Sequence, residues 1–120
     1  MLLYNYVIGL LTRDKKLEQY FGKVLSKKGY KFISYCAYEK LFEELKRELV
    51  KTLFLHDKFI NKDPSIYQKI KQSCTSCQIV LLYEKDDLVC DAIRYGVYAC
   101  IKAPYDEREI LTILRHLGYR

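Results

Sequence analysis

Lys51-Thr52-Leu53-Phe54-Leu55-His56-Asp57 is an apolar run that ends on a carboxylate. Thr52 to His56 reads as a short strand, ending at Asp57. Its apolar residues are continuous rather than alternating, as expected of a strand covered on both sheet faces. The flanking sequence agrees. Upstream, Tyr38, Leu41, Phe42, Leu45 and Leu49 form a helical stripe. Downstream, Asp63-Pro64 is a helix start, with Asp63 as N-cap and Pro64 at the first helical position. Ile66, Tyr67 and Ile70 continue that helix.

The same alternation extends to both ends of the chain. Tyr6 to Leu11 is a buried-type strand, followed by Leu17, Tyr20, Phe21, Val24 and Leu25 at helical spacing and by Gly29 as a C-cap. Lys31 to Cys36 is a second strand. Gln78 to Tyr83 is a fourth, and Leu88, Val89, Ala92 and Ile93 give a helix that stops at Gly96. Tyr98 to Ile101 is a fifth strand. Asp106 with Glu109 has the pattern of a capping box for a last helix presenting Ile110, Leu111, Ile113, Leu114 and Leu117. Five strands alternating with five helices predict an α/β fold, a doubly wound three-layer (βα)5 sandwich on a parallel five-stranded sheet. In such folds the functional crevice lies at the carboxyl ends of the strands. Here those ends are the loops near Leu11–Asp14, Asp57–Asp63, Leu82–Asp87 and Lys102–Tyr105.

The 120 residues fit one domain, residues 1–120. Half are hydrophobic and 30% are charged, a globular composition. The net charge of +6 is uneven: residues 1–60 hold 12 Lys+Arg against 7 Asp+Glu, and residues 61–120 hold 9 against 8. The excess is carried by Lys15, Lys16, Lys23, Lys27, Lys28 and Lys31. These lie among apolar residues at helical spacing and read as a solvated helix face. Direct nucleic-acid binding through that helix is the alternative. Met1 to Leu11 lacks a basic n-region and a small-residue cleavage site, so it is not read as a signal peptide. No apolar run approaches the ~20 residues of a membrane span. The odd cysteine count of five then points to reduced thiols in the cytoplasm.

A phosphate cradle needs a Gly/Ser/Thr-rich loop after the first strand. Leu11-Thr12-Arg13-Asp14-Lys15 is a poor one, and the sequence contains neither G-x-G-x-x-G nor a Walker A motif. The crevice instead resembles that of response-regulator receiver domains (CheY-like), across essentially the whole chain. Three stretches carry the resemblance. The Lys51–Asp57 strand delivers Asp57 where the family has its phosphoacceptor. Ala92-Ile93-Arg94-Tyr95-Gly96-Val97-Tyr98 is similar to the family's passage from helix 4 to strand 5. Ile101-Lys102-Ala103-Pro104-Tyr105 is similar to its Lys-Pro-Phe turn, whose Lys–Pro peptide is usually cis. The resemblance implies the flavodoxin-like strand order 2-1-3-4-5.

The departures from the family are at its functional positions. Counted back from Gly29-Tyr30, the two Mg²⁺-holding carboxylates of the family fall on Leu11 and Thr12. Mg²⁺ needs hard oxygen ligands in octahedral geometry, so Asp57 with Asp14 at best makes a weak site, and no cofactor is expected. The family's Ser/Thr on strand 4 falls on Leu81. Its Lys before Pro falls on Ala103, with Lys102 one residue early and therefore on the opposite sheet face unless a bulge corrects it. The aromatic switch position falls on Cys100, with Tyr98 nearby. Phosphoryl transfer depends on positioning and on charge neutralisation by metal and Lys.

The resulting expectation is a non-enzymatic, atypical receiver (a pseudo-receiver) of two-component signal transduction. It would act through protein contact or dimerisation, largely without phosphorylation, and control a transcription-regulating domain beyond residue 120. DNA would be reached only through that second domain, and no membrane is expected as a partner. A homodimer would use helix 4, strand 5 and helix 5, where Asp91, Arg94, Asp106, Glu107 and Arg108 offer both signs of charge. One alternative is a conventional receiver phosphorylated on Asp57 by a histidine kinase. Another is a thiol-based redox sensor at Cys74-Thr75-Ser76-Cys77. That C-x-x-C precedes a strand rather than opening a helix, and lacks the second pair of a structural zinc site.

Overall fold

The computed structural model describes residues 6–59, 65–85 and 89–119, with the backbone alone for 89–91. Five strands, β1 (Val7–Leu11), β2 (Phe32–Tyr35), β3 (Val50–His56), β4 (Gln78–Tyr83) and β5 (Ala99–Lys102), form one all-parallel sheet in the order β2-β1-β3-β4-β5. Between and after them run α1 (Lys15–Ser26), α2 (Tyr38–Lys46), α3 (Ser65–Ser73), α4 (Val89–Arg94) and α5 (Glu107–His116). The expected fold class and strand order are those observed.

Two apolar layers sandwich the sheet. Leu11, Leu53, Leu55, Ile79 and Leu81 pack with Leu41, Leu45, Tyr67, Ile70 and Ala92 of α2, α3 and α4. Ile8, Leu10, Phe54, Val80, Leu82 and Ile101 pack with Leu17, Phe21, Val24, Ile110 and Leu114 of α1 and α5. Every residue of β3 is buried, which is why its sequence shows no polar alternation. Gly9 sits where a Cβ would lie 3.2 Å from Leu53, Tyr35 and Val50 side chains, so β1 passes between β2 and β3 at a point where even a methyl group would press its neighbours apart.

The helices close in a common way. After α1, Gly29 N–H donates to Ser26 O and Tyr30 N–H to Leu25 O; after α4 and α5 the same pairs run Gly96 to Ile93 with Val97 to Ala92, and Gly118 to Arg115 with Tyr119 to Leu114. Each glycine has positive φ, as this closure requires. After α2 the left-handed position is Glu48 (φ 58°). The turn at Glu48 ends α2 before Leu49, which is exposed rather than part of the predicted stripe. Tyr20 is likewise at the exposed edge of α1. The Asp106 carboxylate accepts from Arg108 N–H (3.1 Å), capping α5. The Asp63-Pro64 start and Leu88 lie outside the described residues.

Candidate functional site

The crevice at the carboxyl ends of the strands is built around Asp57. This residue leaves β3 as the first of a 3-10 turn, Asp57–Phe59, and is 9% exposed. One carboxylate oxygen, Oδ2, accepts the Glu84 backbone N–H at 3.0 Å. The other, Oδ1, is buried without a hydrogen-bond partner, 3.7 Å from His56 Nε2.

His56 is held from its other side. Its Nδ1 lies 2.8 Å from Thr12 Oγ1, and that oxygen already accepts the Asp14 N–H at 3.0 Å. With two lone pairs and one proton, the Thr12 hydroxyl can serve Asp14 N–H and His56 Nδ1 together in either tautomer of the ring, so the contact fixes the orientation of the imidazole, with Nε2 toward Asp57. Burial, first of all, lowers the His56 pKa from its usual 6.5; Asp57, Asp14 and Glu84 oppose the shift and Lys58 adds to it. The three side chains form a buried Thr12–His56–Asp57 series. Thr12 is not a nucleophile here, since it is 1% exposed and its hydroxyl is engaged by both His56 Nδ1 and Asp14 N–H.

Arg13 follows Thr12 out of β1. Its guanidinium carbon stands 4.6 Å over the Phe59 ring and its Nε donates to Cys36 O at 3.4 Å. Asp14 is the N-cap of α1: one carboxylate oxygen accepts from Lys16 N–H (2.9 Å) and Leu17 N–H (3.2 Å). Tyr105, after the cis Ala103–Pro104 bond, buries its hydroxyl without a partner. Burial raises its phenol pKa, and the carboxylates of Asp57, Glu84 and Asp14 raise it further.

The register moves two positions that were assigned by counting. Leu11 pairs with Leu55, and Leu55 with Leu81. Leu11 and Leu81 are fully buried in the layer beneath α2, α3 and α4, so neither reaches the crevice. Continuing the register, Thr12 and Arg13 stand level with His56 and Asp57 on β1, and Tyr83 stands level with Asp57 on β4. The register of β5 against β4 is continuous from Ala99 to Lys102. No bulge turns Lys102, and alternation places it on the side of Cys100, opposite Ile101. Ala103 occupies the position before Pro104.

His56, Arg13, Glu84 and Tyr105 are the crevice residues that sequence reading missed. Strand alternation would set His56 and Asp57 on opposite faces, but Asp57 has already turned into the 3-10 segment, and its carboxylate comes back to 3.7 Å from its neighbour's ring.

The remaining candidates are dispersed. Cys100 is half-buried against the α2–α4 layer, with its thiol pKa raised by burial, and Tyr98 is exposed. Cys74 and Cys77 lie at the other end of the sheet, where β3 begins: Lys51 Nζ is 4.0 Å from Cys74 Sγ and 2.6 Å from Ser76 Oγ. Burial pushes the Cys77 thiol up to about 12, which opposes redox reactivity. Of the expected dimer face, Arg94 is exposed, and Asp91 lies outside the described side chains. Glu107 instead pairs with Lys27, the C-cap of α1 (3.5 Å), and Arg108 lines a cleft with Lys28, so both face the end of α1 rather than α4. Asp106 is occupied as a cap.

Among the described residues, the crevice side chains around Asp57 do not form a divalent-metal site. The orphaned Asp57 oxygen faces an imidazole; Asp14 is spent on a helix cap; and a guanidinium stands where a second carboxylate is needed. Among the described residues no group of three or more His, Cys, Asp and Glu is arranged to hold a metal. No described helix is long and apolar enough to cross a membrane.

No family model matches the sequence, and no curated protein matches it significantly. Solved structures do. A response regulator from Thermotoga maritima superposes with a TM-score of 0.82 at 16% identity, covering 94% of this chain and 97% of that one. The CheY-like protein TadZ of Pseudomonas aeruginosa gives 0.79 at 18% identity, covering 95% of this chain and 100% of that one. The receiver domain of a P. aeruginosa sensor histidine kinase, with magnesium coordinated in its active-site cleft, gives 0.79 at 14%, covering 93% and 96%. With β2-β1-β3-β4-β5 order, an Asp at the end of β3 and a cis X-Pro after β5, the fold of this chain is that of a CheY-like response-regulator receiver domain.

Proposed function

We propose that the chain is an atypical receiver, a two-component signalling module that acts through protein contact and not through metal-assisted phosphorylation of Asp57. The observation that supports this most is the identity of the residues around that carboxylate. Thr12 and Arg13 leave β1 at the level where paired carboxylates would be needed, and the partnerless Asp57 Oδ1 lies 3.7 Å from His56 Nε2. A guanidinium supplies positive charge but no ligand oxygen, and cannot take the metal's octahedral role. The neighbour that holds magnesium in its cleft is the natural contrast.

On this reading the module is cytoplasmic and non-enzymatic. It controls a transcription-regulating domain after residue 120, and only that domain touches DNA. Its partner is a protein, either a second copy docked through α4 and β5 or a kinase-type regulator. The test is a two-dimensional amide NMR titration with Mg²⁺ and beryllofluoride, a mimic of aspartyl phosphate. Spectra unchanged at millimolar Mg²⁺ are expected. Saturable shifts spreading from Asp57 into β4 and β5 would instead establish a conventional phosphorylated receiver.

A further inference from the structure

Away from the crevice, the end of α1 and the start of β2 meet one face of α5. Arg108, Leu111, Thr112 and Arg115 fall at i, i+3, i+4 and i+7 on that helix and line one cleft with Lys28 and Tyr30. The cleft encloses about 390 Å³. Its floor is apolar: Tyr30 is buried, its ring edge-on to Tyr119 at 5.7 Å, and Leu111 is half-buried beside it. Its rim is cationic. Lys28, Arg108 and Arg115 are exposed, and among the described residues none of them makes an ion pair. Arg115 Nη2 donates to Thr112 Oγ1 at 3.3 Å, which holds the guanidinium along the cleft. The lining contains no carboxylate, and Glu107 beside it is paired to Lys27.

We propose that this cleft binds a small polyanion, a phosphate ester carried on a planar or apolar body, of the mononucleotide type. Three cations line one cleft whose lining holds no counter-charge, and one multiply charged group would answer all three. Two guanidiniums offer the forked donors that match phosphate oxygens. The Tyr30–Leu111 floor gives the rest of the ligand an apolar seat. The volume lies within the roughly 300–1,000 Å³ of small-molecule sites. A single aromatic on a closed floor is unlike the stacking platforms that bind single-stranded nucleic acid. The site is independent of Asp57 and of the reading given above for the crevice.

Isothermal titration of the whole chain in a metal chelator tests this with four probes: ATP, tripolyphosphate, adenosine, and a short peptide of Glu and Phe. ATP should bind saturably. Tripolyphosphate should bind more weakly because it lacks the apolar body, and adenosine should give no measurable binding. Arg108→Ala combined with Arg115→Ala should lose roughly tenfold or more in ATP affinity. Lys40→Ala, an exposed cation on α2, should lose nothing. Both arginines are exposed, so folding should survive their removal, and a thermal melt checks that. The proposal is overturned by no saturable ATP binding, by tripolyphosphate binding as tightly as ATP, or by a double variant with unchanged affinity. Binding of the acidic peptide without ATP would overturn it in favour of a protein partner.

Discussion

His56 is buried beside Asp57, and burial lowers its pKa. A buried imidazole with a lowered pKa binds its proton less readily in the folded chain than in the unfolded one. Below the unfolded value of about 6.5 the unfolded state therefore takes up more protons, and stability falls. The stabilising contribution is present in full above about pH 6.5 and is lost as pH drops through the folded pKa. Thermal melts between pH 7.5 and 5 should show the wild type losing stability that His56→Gln does not lose. Parallel curves would mean that the fold does not lower the His56 pKa. The neighbouring positions give a sharper test of the site. Thr12→Asp with Arg13→Asp should create measurable Mg²⁺ binding by calorimetry, since it restores oxygen ligands beside Asp57. Leu11→Asp should instead unfold the domain, because position 11 is fully buried in an apolar layer. If Leu11→Asp folds and binds metal, the register argument for the crevice is wrong.

Among the elements, the helix ends separate what sequence patterning shows from what it conceals. Gly29 and Gly96 announce their helix ends, because only glycine takes the left-handed turn at no steric cost. Glu48 takes the same turn unannounced. The i+4 step from Leu45 to Leu49 then looks helical although the chain has already turned away. Glu48→Gly should therefore stabilise the protein by up to about 1 kcal/mol, measured by urea denaturation. The loss of the 3.5 Å contact between Glu48 and Lys51 offsets little of this, since Glu48 is largely solvent-exposed. Destabilisation by Glu48→Gly would show that the ion pair outweighs the backbone strain. The same limit explains the site. Strand identity was legible from five apolar runs, but crevice positions depend on a one-residue register. Loops carry no periodicity to fix that register, and a slip of one residue exchanges a crevice residue for a core residue. Leu11 was that exchange with Thr12, whereas Leu81 stops two residues short of Tyr83, the β4 residue level with Asp57.

For the whole molecule, the sheet and its two layers leave one apolar surface unaccounted for. Ile93 is 67% exposed on α4, and Tyr95 and Tyr98 are exposed beyond it. Isolated apolar residues on a surface are ordinary, and Tyr95 is partly covered by stacking on Tyr67 of α3 (6.1 Å), so docking at this face rests mainly on Ile93, with Tyr98 just before β5. The α5 charges expected to complete this face are turned toward α1, so any docking here is driven by apolar burial more than by ion pairs. That changes the expected signature. Sedimentation equilibrium should show self-association that rises with protein concentration and is insensitive to added salt, because screening acts on exposed charges and leaves apolar burial intact. Ile93→Glu should shift the population to monomer, whereas Arg94→Ala should alter it little. Association that dissolves in salt would return the interface to the charged residues of α5. A chain that stays monomeric at every concentration would leave Ile93 and Tyr98 for a different protein, and the output of the module would then rest on a hetero-partner.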